Sequence, residues 1–211
     1  MKRNIFFIAI SLCLLSFSVG KKTTQDGWIS LFDGKSLKDW KVGKNASTFS
    51  VDSGMIIVNG PTAHLFYDGS VNNHVFKNFE FKARVMTTPG SNSGIYFHTT
   101  YQEASWPEKG FEVQVNNSHT DWKRTGSLYD IQDIKEVYVK DYEWFTEYIK
   151  VEGKHVIVKI NDKQVVDYTE PEGTKAPEDH SGRVISSGTF ALQGHDPKSK
   201  VYFKDIMVKP L

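Results

Sequence analysis

Past its first twenty residues the 211-residue chain has no cysteine, since Cys13 lies in the N-terminal apolar run. The rest of the chain therefore has no disulfide, no Cys nucleophile and no thiolate metal site. A buried core must hold it together, and residues 21–211 are enough for one domain. Basic excess is missing as well. The formal net charge is +1, and −1 once Lys2 and Arg3 are set aside, so no cationic field is offered to nucleic acid. No apolar run spans a membrane comfortably. From Gln25 onward there is no composition break, repeat, low-complexity run or convincing amphipathic helix, which leaves one domain and an all-β reading.

The first twenty residues have the order of an export signal: basic Lys2-Arg3, apolar Ile5 to Phe17, then small Ser18 and Gly20. Cys13 follows Leu12 rather than a small residue, which argues against a lipoprotein. The expectation is a signal peptide over 1–20 and a soluble periplasmic or secreted product, free of the membrane after cleavage.

What is present in quantity is alternation. Phe79, Phe81, Ala83 and Val85 alternate with Glu80, Lys82, Arg84 and Met86, the period of a half-buried strand. Hairpin signals stand at Ser53-Gly54, Glu152-Gly153 and Asn161-Asp162. About a dozen short strands punctuated by turns predict an antiparallel β-sandwich. The stretch from Tyr129 to Tyr142 fits no strand and reads as a loop with a short helical turn.

Two segments carry chemistry. In Ser93-Gly-Ile-Tyr-Phe-His98 strand geometry puts Tyr96 and His98 on one face and Ile95 and Phe97 on the other. In Gly110-Phe-Glu-Val-Gln-Val115 it puts Glu112 and Gln114 together, opposite Phe111, Val113 and Val115. An imidazole, a phenol, a carboxylate and a carboxamide on one sheet face suit a sugar, and Gly94 leaves room for the close approach of a ligand or another chain segment. Trp106 and Trp122, in flanking loops, are of a kind to stack on a pyranose. A solvated polar face with Glu112 paired to Lys82 or Arg84 is the alternative. His74, His119, His155 and His180 read as surface residues.

Leu31-Phe-Asp-Gly34, Asn92-Ser-Gly-Ile95, Gly110-Phe-Glu-Val-Gln114, Thr125-Gly126 with Tyr129, and Leu192-Gln-Gly-His195 before Val201-Tyr-Phe-Lys-Asp-Ile206 resemble the 3-keto-disaccharide hydrolase family, formerly domain of unknown function 1080. The resemblance implies a concanavalin A-like jelly roll, a carbohydrate partner and cleavage of 3-keto-glycosides. It points to Glu112 and His195 as the catalytic pair, and to Asn92, Tyr96, His98, Gln114, Tyr129, Trp106 and Gln193 as substrate contacts. The chain departs from the family at His98, where Arg is usual, and near Asn117, where Asp is common.

An ordinary glycosidase needs two carboxyl groups at the bond. Gln114 and Asn117 give Glu112 no partner on its own strand, so a loop would have to supply one, Asp130 or Glu103. A 3-keto-sugar relaxes this demand, because the ketone acidifies the C2 proton; one base, one acid and one electrophile are enough. A divalent metal ion on Glu112, His195 and His64 is a further possibility as the electrophile. A conventional glycoside hydrolase and a non-catalytic carbohydrate-binding module are the competing readings.

Overall fold

A computed structural model of the protein describes residues 26–211, so the expected leader lies outside the described residues. Among these residues the chain forms β1 (Ile29–Ser30), β2 (Trp40–Val42), β3 (Phe49–Asp52), β4 (Met55–Val58), β5 (Ala63–Tyr67), β6 (Phe79–Thr87), β7 (Ser93–Thr99), β8 (Phe111–Val115), β9 (Phe145–Glu152), β10 (His155–Ile160), β11 (Lys163–Thr169), β12 (Thr189–Gly194) and β13 (Val201–Pro210). One sheet has the order β11-β10-β9-β6-β13-β4-β3, with β1 also paired to β13; the other has the order β2-β5-β12-β7-β8. Every named pairing is antiparallel.

The alternating residues of β6 face inward as expected, with Phe79, Phe81, Ala83 and Val85 all buried. They meet the second sheet through aromatic rings: Phe190 of β12 lies 4.9 Å from Phe79 and 4.7 Å from Phe81 between ring centroids. Apolar burial of this kind drives the two layers together. Ser53 and Gly54 both take positive φ, 49° and 78°, the backbone that a two-residue hairpin between β3 and β4 requires.

One strand is absent from the sequence reading. Strand β5 carries no alternation, because all five of its residues are buried; it lies inside the sheet between β2 and β12, and a strand covered on both faces loses its period of two. The Tyr129–Tyr142 stretch is a loop that opens on one hydrogen-bonded turn, in which the Ile131 and Gln132 amides both donate to the Leu128 carbonyl. Its approach runs along β8, where Gly126 N–H donates to the Gln114 carbonyl and Tyr129 N–H to the Glu112 carbonyl. The otherwise open edge of the smaller sheet is thereby closed.

Candidate functional site

The site lies on the face of the five-stranded sheet turned away from the core. Register brings its residues together: Tyr96 stands opposite Glu112, Gly94 opposite Gln114, Ala191 opposite both Tyr96 and Phe66, and Gln193 opposite His64. The expected split of faces holds here, with Ile95, Phe97, Phe111, Val113 and Val115 all in the core.

Glu112 is fixed by two donors. Tyr96 Oη donates to Oε2 at 2.6 Å, and Gln193 Nε2 donates to Oε1 at 2.8 Å. The space for this carboxylate comes from Gly94, where a Cβ would lie 2.3 Å from Glu112 Oε1. The close approach expected at Gly94 is thus made by the glutamate itself. Burial pushes the Glu112 carboxyl up to about 7, against the lowering pull of both hydrogen bonds and of the Arg183 and Lys123 charges. Burial and the neighbouring carboxylate hold the Tyr96 phenol well above its usual range, so it remains a donor.

A hollow of about 250 Å³ opens over this pair, and Asn92, Tyr96, Trp106, Glu112, Gln114, Tyr129, Gln193 and His195 all line it. Within it the side-chain oxygens of Asn92, Gln114 and Gln193 are buried without a hydrogen-bond partner. Three unused acceptors at one hollow are suited to hydroxyl donors, since buried polar atoms normally find partners.

His195 is oriented by its sequence neighbour. Its Nδ1 lies 2.9 Å from Asp196 Oδ2, and Asp196 also accepts from Ser199 Oγ and from the Lys198 and Ser199 amides. Partial burial works to raise the Asp196 carboxyl, but the bonds from Ser199, His195 and the Lys198 amide bring it down to about 2. Asp196 is therefore an acceptor at any working pH. It accepts the hydrogen bond from Nδ1–H and leaves His195 Nε2 for a substrate.

His98 does not join the others. Between β12 and β7 the register slips, pairing Ala191 with Tyr96 but Thr189 with Thr99, so β7 holds one extra residue, a β-bulge. His98 sits there at φ 55°, and its ring turns to the core side, against Phe79 and Phe97. Its Nε2 lies 2.9 Å from the Lys77 carbonyl, and its Nδ1 accepts the Ser186 amide. Burial lowers this imidazole to about 4, with the Lys77 bond opposing. Asn117 is likewise interior, bonded to Thr87 and Thr125.

The expected ligand set of Glu112, His195 and His64 does not assemble. Among the described residues the one group of ligand size is His119, His195 and Asp196, with candidate atoms within 4.8 Å of one another. The His195–Asp196 bond leaves Nε2 of His195 open, as in a ligating histidine, but His119 does not fit: its Nδ1 accepts the Asp121 amide, which puts the ring proton on Nε2 and leaves neither nitrogen free to ligate. The histidines expected at the surface include two that belong here: His180 lines the hollow, and the His119 ring lies 5.5 Å from that of His195.

Of the loop carboxylates, Asp130 lines the hollow while Glu103 does not. Asp130 faces two cations, Lys123 and, at 3.9 Å, Arg183. Arg183 itself also lines the hollow and was not anticipated, because it sits in a Ser-Gly-Arg loop with no period to read. Asp196 could have been found from its place beside His195.

The model for the 3-keto-alpha-glucoside-1,2-lyase-like domain matches residues 27–209. A "3-keto-disaccharide hydrolase" of Bacteroides thetaiotaomicron is 29% identical over 172 residues, covering 68% of this chain and 59% of that protein. The chain thus spans well under two thirds of that relative's length. The "putative glycosyl hydrolase" structure from Parabacteroides distasonis superposes with TM-score 0.72 at 24% identity, covering 88% of this chain and 94% of the other. A carbohydrate-binding module of Bacillus subtilis gives 0.57 at 12%, covering 81% and 95%. The structural likeness shows the jelly-roll sandwich fold expected from the sequence.

Proposed function

The chain belongs to the 3-keto-alpha-glucoside-1,2-lyase-like family, and from that premise we propose that it is an enzyme that breaks the C1–O bond of 3-keto-glycosides in the hollow over Glu112. The observation that carries this reading is a single carboxyl raised to about 7, both of its oxygens accepting hydrogen bonds, at the floor of a polar hollow. A base with a pKa near the working pH is the one that transfers protons best.

Glu112 removes the proton from C2, made acidic by the neighbouring ketone. The C2–H electron pair becomes the C1=C2 bond as the C1–O bond breaks, and the leaving oxygen takes a proton from Nε2 of protonated His195. Arg183 faces the negative charge that grows on the ketone oxygen. The unused oxygens of Asn92 and Gln114 accept the ring hydroxyls. Addition of water across C1=C2 completes a net hydrolysis, and without it the reaction ends as an elimination. The relatives' names, a lyase-like domain and a hydrolase, support both endings. The basic and apolar order of residues 1–20 supports action in the periplasm or the medium.

Asp121 and Asp130 also line the hollow and favour conventional two-carboxylate hydrolysis, but the two cationic neighbours of Asp130 count against it as an acid. The test is the release of aglycone from a 3-keto-glucoside and from its parent glucoside. Turnover of the ketone alone is expected. Equal turnover of both overturns the elimination chemistry, and binding without turnover of either assigns the chain to the carbohydrate-binding modules.

A further inference from the structure

Beyond Trp106 lies a second hollow, of about 360 Å³, that the mechanism leaves unused. Trp106 lines both hollows. Its indole is partly exposed, 5.4 Å from the ring of His195, which lines the first hollow, and edge-on at 5.6 Å to the ring of His64, which lines the second.

This wall is built rather than loose. The Gln102 side chain ties its own loop together, donating from Nε2 to the Ala104 and Trp106 carbonyls and accepting the Glu108 amide at Oε1. The loop is seated on Gly43, where a Cβ would lie 2.0 Å from the Glu103 carbonyl oxygen, and the Lys44 amide donates to that same oxygen. Gly43 is required here for close approach of backbone. Trp106 therefore stands as a fixed ridge between two hollows.

The second hollow is polar, with Lys44, Asn45, Thr62, Gln102 and Glu103 at its edge. One buried group in its lining has no partner: His64, 5% exposed, whose Nε2 makes no hydrogen bond. Its ring also packs edge-on against Tyr96 at 5.4 Å. Burial lowers His64 to about 3, so it offers a neutral donor or acceptor. Uncharged polar groups beside an indole are the usual means of holding a polyhydroxylated ring.

We propose that this second hollow binds the leaving half of the substrate, a second pyranose, so that the two sugar units straddle Trp106 and the bridging oxygen passes beside His195. The proposal rests on the reading that the Glu112 hollow takes the 3-keto ring. It explains why the proton donor stands next to the ridge rather than at the far end of the first hollow.

Ala104→Trp fills the second hollow from an exposed position outside the catalytic groups, and His64→Phe keeps the ring packing while removing the nitrogens. Each is expected to raise KM for a 3-keto-disaccharide about tenfold, the effect of one polar contact or its steric loss. Turnover of 3-keto-methyl-glucoside, which has no second ring, stays within about twofold. Equal changes for both substrates, or none for either, overturn the subsite. If the unaltered protein turns over neither substrate, the proposed reaction fails separately, and the subsite is then judged by titration with the unoxidised disaccharide and methyl glucoside. Tighter binding of the disaccharide that both variants abolish supports it; equal affinity for the two overturns it.

Discussion

Two glutamates of this protein are raised by burial, and they have little else in common. Glu112 opens onto a hollow and accepts hydrogen bonds from Tyr96 and Gln193. Glu147 is in the core, fully buried on the inward face of β9 between Phe145 and Ile149, and neither of its oxygens has a partner among the described residues. Burial drives Glu147 well above the usual carboxyl range, and the charge on Glu112 adds to this. A shifted carboxyl is thus not in itself a site. What marks Glu112 is access for a substrate together with donors that hold its charged form in place.

The sharpest way to break the comparison is Glu112→Gln. Activity on a 3-keto-glucoside is expected to fall roughly 10²–10⁴-fold, the usual contribution of a general base, while the melting temperature stays close to that of the parent. A large drop in melting temperature with activity retained would make Glu112 a structural partner, no different in kind from Glu147.

A smaller effect is expected from Gly94→Ala. The added methyl carbon would lie 2.3 Å from Glu112 Oε1, so the carboxylate must move while the strand backbone stays. A displaced base costs on the order of 10²-fold in rate. The variant should keep its fold by circular dichroism and lose kcat. Unchanged kcat would mean that the position of the carboxylate is not critical.

The pH profile sharpens the comparison from the side of Glu112. Its carboxyl, raised to about 7, must be ionised to act as a base, so kcat/KM should rise with pH up to about 7. In Glu112→Gln the residual rate loses that limb. A limb that persists in the variant belongs to another group.

Much of this arrangement was legible in the sequence, because alternation in β7 and β8 is a local property. It separated Ile95 and Phe97 from Tyr96, and Glu112 and Gln114 from their apolar neighbours. His98 was not legible, since the bulge that turns it inward is set by the register of β12, ninety residues away in the chain. Strand β5 was hidden by its burial on both faces, and with it the position of His64. Arg183 lies on a loop seated by backbone bonds, Gly110 N–H to the Gly182 carbonyl and Gly182 N–H to the Glu108 carbonyl, which leave no pattern in residue type. The His98 ring is fully buried against Phe79 and Phe97 and does not line the hollow over Glu112, so restoring an Arg there is expected to destabilise the core through an unpaired buried charge rather than to alter a substrate's pH profile.

The smallest effect on activity should come from Glu147→Leu, and its effect on stability carries a sign that can be checked. Because the folded-state pKa of Glu147 is raised, the folded protein holds its proton more tightly than the unfolded chain, whose carboxyl titrates near 4.5. Stability from this group is therefore complete below that value and declines as pH rises toward the folded pKa, by about 1.4 kcal/mol per unit. Glu112 contributes the same sign between 4.5 and about 7, so only the difference between parent and variant isolates Glu147. Denaturant melts from pH 5 to 8 should show Glu147→Leu progressively more stable than the parent, with the gap closing toward pH 4.5. Turnover should remain within about twofold, since a neutral Glu147 places no charge on the pocket. A gap that does not change with pH would mean that Glu147 finds a partner in the folded protein, and a large loss of turnover would tie it to Glu112 after all.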